Sequence, residues 1–504
     1  MSPYKLPGAV RGVAAGVGHH GAGLPGTVRL LQYGAYLLGG TMDHAHWTPR
    51  LRKNERKPVY LAIADAIGDD IALGRLSHAQ RLPPQRELAE RLGLNFTTVA
   101  RAYVEAQRRG LIESTVGRGS FVSGQRRPSV PRALVAGPVL DMTMNMPPEP
   151  DSARVHDAMR AGCIALAGEI AHLTRYQDFG GSARDCEAGQ LWLRRRGLAV
   201  DPALVIVVPG AQCALLAALT SLAPPGASIC CEELTYPGMR ALAKQLGIRL
   251  IGLPTDSEGI DALAFAGACA QYAPKALYCV PTLNNPTTLT TSVARRHALA
   301  EVARHYDVPI IEDDPYGLLQ ADAPPPIAEF APERTIYIAG LSKTLSAGLR
   351  VGYMVAPSAA ARARLVSALR ATTVMASPIT AALASRWIGD GTADIMLAAI
   401  RKETAARARI AMRVLPAGAA WVHRDAFHVW LRLPEGWIAT DFAAQMNACG
   451  VGVVASPAFA VSAHPPEAVR ICLGGPLTRE QIGGALTLVA QRVAAPRDVA
   501  PAVI

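Results

Sequence analysis

Apolar positions along this 504-residue chain follow three regimes: no period at the start, a helical period from residue 59, and strand-like runs from residue 204. Over 59–74 (VYLAIADAIGDDIALG), Ile63, Ile67 and Ile71 share one stripe, which predicts an amphipathic helix. A second helix follows Pro83-Pro84, residues suited to a first turn; QRELAERLG puts Leu88 and Leu92 on one face and ends at Gly93. Asn95 or Thr97 can cap a third helix, TTVARAYVEAQRRG, which turns Val99, Tyr103 and Ala106 inward and stops at Gly110. IEST, VGRG and SFV then read as strand, glycine turn and strand. Three helices and a glycine-tipped hairpin make a winged helix-turn-helix domain over residues 47–124.

The Pro- and Arg-rich stretch SGQRRPSVPRALVAGPVL supplies a linker over 125–140. Beyond 141, short apolar runs alternate with helical stretches: LVIVVP from 204, SIC from 228, ALYCV from 276, VPIIED from 308, TIYIAG from 335 and VGYMVA from 351. Runs of this kind separated by helices predict an α/β domain over 141–495, a mostly parallel sheet covered on both faces. Ligands in such folds sit beyond the carboxyl ends of the strands, where the notable polar residues of this chain cluster.

Charge adds a partner. The chain carries a net +11, and residues 50–127 hold 15 Lys/Arg against 8 Asp/Glu, a local +7 that suits a polyanion. Every apolar run is broken by Gly, Pro or charge, so no membrane span is predicted. The nine cysteines form no Cys-x-x-Cys pair and no metal-ligand spacing, which reads as reduced thiols in a cytoplasmic protein without a metal site. Residues 1–46 read as a disordered tail or as a start placed upstream of Met42; a signal peptide, the rival reading, would have only the short interrupted run around Leu30, Leu31, Leu37 and Leu38.

Four blocks carry chemistry. GLSKTLSAGLRVGY (340–353) sets a lysine after a strand with an arginine seven residues on: an amine for a Schiff base and a planar cation for a phosphate. IEDDPYG (311–317) offers a carboxylate for a pyridine nitrogen, with the spacing to Tyr316 favouring Asp313 over its neighbour Asp314. LNNPTT (283–288) offers an Asn amide to a ring hydroxyl, and VPGAQCALL (208–216) leads through glycine into a helix whose free N–H groups suit an anion. Together these are the needs of pyridoxal 5′-phosphate (PLP).

The stretch RLPPQRELAERLGLNFTTVARAY…GLIESTVGRGSFV resembles the GntR family of DNA-binding regulators. The resemblance implies duplex DNA as partner, with the third helix in the major groove and the wing against the backbone. Thr97 and Thr98 would donate to phosphates or bases, Arg86 would meet a phosphate, and Arg118 would sit at the wing tip. Arg101 belongs to the same face, although Arg86 and Arg101 also read as solvated helix charges. Phe96 stands where relatives often carry a basic residue: either it touches a thymine methyl or stacks, or this helix binds DNA less tightly.

The four blocks, in this order, resemble the fold-type I aminotransferases, with their small C-terminal α/β domain. From about 47 to 490 the chain resembles the MocR-type branch of GntR regulators. Carried over, Lys343 matches the Schiff-base lysine and Asp313 the acid at the pyridine nitrogen. Tyr316 and Asn285 match partners of the ring hydroxyl, Ser342 and Arg350 phosphate ligands, and Ala211 and Gln212 the phosphate-binding helix start. Tyr236 matches the stacking aromatic or is a core tyrosine; Arg470 matches the arginine for a substrate carboxylate, beside Asn285, or is a structural ion pair. His428 reads as packing or partly exposed. The sequence departs from the family where Ala211 replaces a hydroxyl residue, Gly340 a Ser or Thr, Thr288 a Gly, and Asp185-Cys186 the expected Leu-Arg. The resemblance also implies a homodimer built by the PLP domain. Two jobs remain open for that domain: sensor of an amino acid or related amine, or working aminotransferase between an amino acid and a 2-oxo acid.

Overall fold

The computed structural model describes residues 47–49, 58–72, 75–77, 80–109, 111–115, 119–122, 140–149 and 152–495. The expected tail over 1–46, with Met42, the linker up to 139, Gly110 and Arg118 lie outside the described residues. The chain divides into two compact units, within Met1–Ser129 and Val130–Ile504.

In the first unit, α1 (Val59–Ala72), α2 (Gln85–Leu92) and α3 (Phe96–Arg108) precede an antiparallel hairpin of β1 (Ile112–Thr115) and β2 (Gly119–Val122). The predicted stripes close one core: Ile63, Ile67, Leu88, Val99, Tyr103 and Ala106 are buried, while Ile71 and Leu92 are half-buried at its rim. Gly93 takes a left-handed conformation that ends α2. Helix α3 starts one residue earlier than the sequence suggested, at Phe96, because Asn95 and not Thr97 is the cap: its Oδ1 accepts from the Thr97 amide at 2.9 Å.

The second unit is built on a seven-stranded sheet. Its strands are β3 (Val205–Val208), β4 (Ser228–Glu232), β5 (Arg249–Leu253), β6 (Leu277–Cys279), β7 (Ile310–Asp313), β8 (Thr335–Gly340) and β9 (Gly352–Val355). They lie in the order β3-β9-β8-β7-β6-β4-β5. All neighbours run parallel except β9, which is antiparallel to both β8 and β3. β3, β4, β6, β7 and β8 therefore share one direction, and their carboxyl ends share one edge. A smaller layer follows: β10 (Ala420–Val422), β11 (His428–Arg432), β12 (Val454–Ala455) and β13 (Ala468–Cys472), in the order β10-β11-β13-β12, sharing a core with helices Thr392–Val414 and Arg479–Ala494. The alternative of a partly exposed His428 is corrected: it is fully buried. Among the described residues no helix is long and apolar enough to cross a membrane.

Candidate functional site

Segments at the shared strand edge close a cavity of about 230 Å³. Lys343, Asp313, Tyr316, Asn285, Tyr236, Ala211, Gln212 and Arg470 all line it. Ser342 and Arg350 do not. Ser342 is half-buried before Lys343, and Arg350 is exposed, with its guanidinium against Gly210. Gly210 has φ of 92°, and a Cβ there would stand 3.0 Å from that guanidinium, so glycine alone lets the chain turn into helix Ala211–Leu222 beside the arginine. Gly238 does the same for Tyr236, whose ring atoms would lie 2.3 Å from any Cβ at 238.

Asp313 ends β7 and is buried; the Tyr278 hydroxyl, one strand away on β6, donates to its Oδ2 at 3.1 Å. Burial pushes the Asp313 carboxyl up to about 7, against the pull of that hydrogen bond and of Lys343. Burial also brings the Lys343 ammonium down to about 8. Asp314 takes another environment: Arg196 and the Tyr337 hydroxyl each bind its Oδ2 at 2.8 Å. Burial would raise the Asp314 carboxyl, but Arg196 and Arg296 outweigh it and hold it below its ordinary value. Of the two neighbours, only Asp313 lines the cavity.

Arg470, on β13, is buried; it donates to Asn285 Oδ1 at 2.8 Å and to the Thr143 carbonyl at 2.5 Å, and lies 4.9 Å from the Phe459 ring. Four lining residues keep a buried polar atom without a partner: Asn145 Oδ1, Gln212 Oε1, Asp313 Oδ1 and Arg470 Nε. Unmet buried groups are costly, and a cluster of them on one cavity is what a polar ligand would satisfy.

Sequence reasoning missed several contacts. Asn145 donates to the Tyr316 hydroxyl at 2.9 Å, and its backbone carbonyl accepts from Lys343. Tyr278 on Asp313 and His428 under Tyr316 were also not singled out for the site; His428 Nε2 lies 3.0 Å from the Asn284 carbonyl, and burial lowers its pKa to about 3. Tyr278 lies within the predicted strand ALYCV, two positions before Val280, which lines the cavity at the strand's carboxyl end, and period-2 facing could have flagged it. The departures also acquire reasons. Gly340 and Ala211 are neighbours, with a Cβ at 340 only 3.3 Å from that of Ala211, so the two small residues go together. Thr288 has φ of 63°, a conformation that costs a β-branched residue about 1–3 kcal/mol.

In the first unit, the start of α3 exposes Phe96 and Thr97, with Thr98 half-buried. The Arg86 guanidinium lies 5.8 Å from the Phe96 ring centre, and Arg101 lies 4.5 Å from that of Tyr60. Both arginines stay exposed, so neither is sequestered by its ring.

A family model described as aminotransferase class I and II matches residues 138–487, and one for bacterial regulatory proteins of the gntR family matches 59–122. The HTH-type transcriptional regulator YdeF of Bacillus subtilis is 30% identical over 453 residues, 88% of this chain and 96% of its own. PtsJ of Salmonella typhimurium, a vitamin B6 salvage pathway transcriptional repressor, is 30% identical over 419 residues, 82% of this chain and 93% of its own. Among solved structures, the kynurenine aminotransferase of Pyrococcus horikoshii matches with a TM-score of 0.64 at 22% identity, over 71% of this chain and 91% of that one, a likeness of fold alone. Joining a gntR-family DNA-binding domain to an aminotransferase-like domain, the chain belongs to the aminotransferase class I and II family and, within the GntR regulators, to the MocR-type branch.

Proposed function

We propose that this protein is a transcription regulator that binds duplex DNA through α3 and its hairpin, holds PLP on Lys343, and responds to an amino acid or related amine in the same pocket. The observation that carries this reading is the meeting of Lys343, Asp313 and Arg470 on one cavity with unpartnered buried polar atoms. PLP, when bound, supplies an aldehyde that captures amines and a ring that withdraws electrons. Lys343, lowered to about 8 by burial, keeps a usable fraction of neutral amine near pH 7. Asp313 keeps Oδ1 free to accept from a ring N–H, since Tyr278 occupies Oδ2. Asn285 and Tyr316 suit a ring hydroxyl, and Tyr236 can cover a ring face. The N–H groups at Ala211 and Gln212 suit a phosphate, and Arg350, whose guanidinium lies against Gly210 at that helix start, and Ser342 would reach it from outside the cavity lining.

Arg470 offers its fork to a carboxylate, so the effector carries an amine and a carboxylate together. The name of the Salmonella relative ties a regulator of this kind to vitamin B6, which agrees with a B6-derived cofactor here. All nine cysteines are free, in keeping with a reducing cytoplasm where DNA is at hand. Two copies, paired through the aminotransferase-like unit, would present two DNA-binding units to paired half-sites.

The same three residues would also serve a working aminotransferase. One experiment addresses both readings: protein loaded with PLP is reduced with borohydride and mapped, then titrated with amino acids while upstream-DNA affinity and keto-acid formation are followed. A regulator changes DNA affinity with slow or no turnover. Protein that takes up no PLP, or that binds random and upstream DNA alike, sinks the reading.

A further inference from the structure

We infer that Asn145 is a positioning residue that aims the Tyr316 phenol proton into the cavity. The inference rests on the reading of the pocket proposed above. Asn145 Nδ2 lies 2.9 Å from the Tyr316 oxygen. An amide N–H only donates, so the phenol oxygen accepts and its own proton is left over. Tyr316 is 3% exposed, and burial raises its pKa far above the ordinary range, so that proton stays on the oxygen. No other described side chain bonds the hydroxyl. The rings beside it, Phe427 at 6.0 Å and His428 at 5.6 Å, do not take it either: His428 Nε2 donates to the Asn284 carbonyl, and His428 Nδ1, the acceptor nitrogen, has no hydrogen-bond partner. The cavity that Tyr316 lines is where the proton can go.

Asn145 is itself held firmly. It is 7% exposed and lies on the segment 140–149 of the second unit. Leu140–Asp141 pairs with Val451–Gly452, the Cys472 amide donates to the Met142 carbonyl at 2.8 Å, and the Gly475 amide to Pro147 at 3.1 Å. At Gly474 the chains cross so closely that a Cβ would stand 1.6 Å from the Met146 carbonyl. The segment therefore cannot slide to supply another donor when the amide is lost. Asn145 also accepts from Lys343 through its carbonyl, so one residue of this segment steadies both the hydroxyl and the amine of the pocket.

The test is a double-mutant cycle of Asn145→Asp and Tyr316→Phe, read by the Kd for PLP and by the pH midpoint of the visible absorbance of the loaded protein. A carboxylate at 145 keeps the shape but accepts the phenol proton. Asn145→Asp should weaken PLP binding about tenfold and move the midpoint, while on the Tyr316→Phe background the same change should cost less than about threefold. Wild-type behaviour of Asn145→Asp would overturn the inference, leaving a packing role. An equal loss with and without Tyr316 would also overturn it, because the new charge would then act on Lys343 directly. Should circular dichroism show Asn145→Asp unfolded, Asn145→Ala is read in the same cycle. A loss of about threefold that vanishes without Tyr316 supports the inference, and additive losses refute it. Failure of the wild type to fix PLP on Lys343 is a separate result: it removes the functional reading, and this inference with it.

Discussion

The two units carry their polar residues in opposite ways. In the first, Arg86, Arg101 and Thr97 are exposed, and the arginines lie over rings at the surface without giving up contact with water. In the second, Asp313, Asn285 and Arg470 are buried, and burial moves Asp313 and Lys343 toward neutral pH. An exposed cationic face recognises a polyanion through field and counterion release, and tolerates the loss of one contact. A buried pocket has few groups and little water to replace them, so each atom without a partner is a demand on the ligand.

The largest expected effect sharpens that contrast at its buried end. Lys343→Ala should abolish borohydride-stable attachment of PLP, checked by mass spectrometry, with circular dichroism and thermal melting measured beside it to show that the fold survives. Next, salt should separate the units: raising it from about 50 to about 200 mM should weaken DNA binding on the order of a hundredfold, with PLP affinity nearly unchanged. Arg86→Ala should weaken binding to all sequences and make the salt slope shallower. Equal salt sensitivity of both ligands would break the comparison.

The other effects are smaller. Arg470→Ala should cost a tenfold to hundredfold part of the preference for an amino acid over its decarboxylated amine, since a charge-assisted contact is worth about 1.5–3 kcal/mol. Matched spectral titrations test this, and equal responses in the wild type would make Arg470 structural. Capture of PLP should rise with pH and level off above about 8, where Lys343 becomes neutral. A climb that continues past pH 9 would belong to an ordinary exposed ammonium. The smallest effect is on stability. Asp313 is raised from 3.8 to about 7, so its favourable contribution is complete below about pH 4 and is lost as pH rises to about 7. Asp313→Asn cannot ionise, and without PLP its Tm should therefore fall less between pH 5 and 8 than that of the wild type. Parallel melting curves would contradict the assignment of that burial cost to Asp313.

Much of the framework was legible because its signals are local. Apolar runs near 205, 277, 310 and 335 name the strands, and the polar residues just beyond them name the cavity wall, as strand ends in a parallel sheet require. The rest depends on packing between distant residues. Asn145 meets Tyr316 across 171 positions of sequence, and no spacing rule joins them. Gly340 and Ala211 read as two separate departures until the fold sets them side by side. The cap of α3 was ambiguous because Asn95 and Thr97 can both accept an amide N–H; the helix starting at Phe96 leaves that place to Asn95.

The most direct test of a regulator that reads an amino compound through Lys343 is DNA affinity against amino-acid concentration, measured by anisotropy of labelled upstream duplex. Wild-type protein loaded with PLP is compared with Lys343→Ala, and keto acid is assayed in the same samples. The account predicts that at least one amino acid of a full panel shifts the wild-type DNA affinity, that Lys343→Ala shows no shift, and that keto acid is sparse. Unchanged DNA affinity across the panel with steady keto-acid formation would contradict it, and would make the second unit a working aminotransferase.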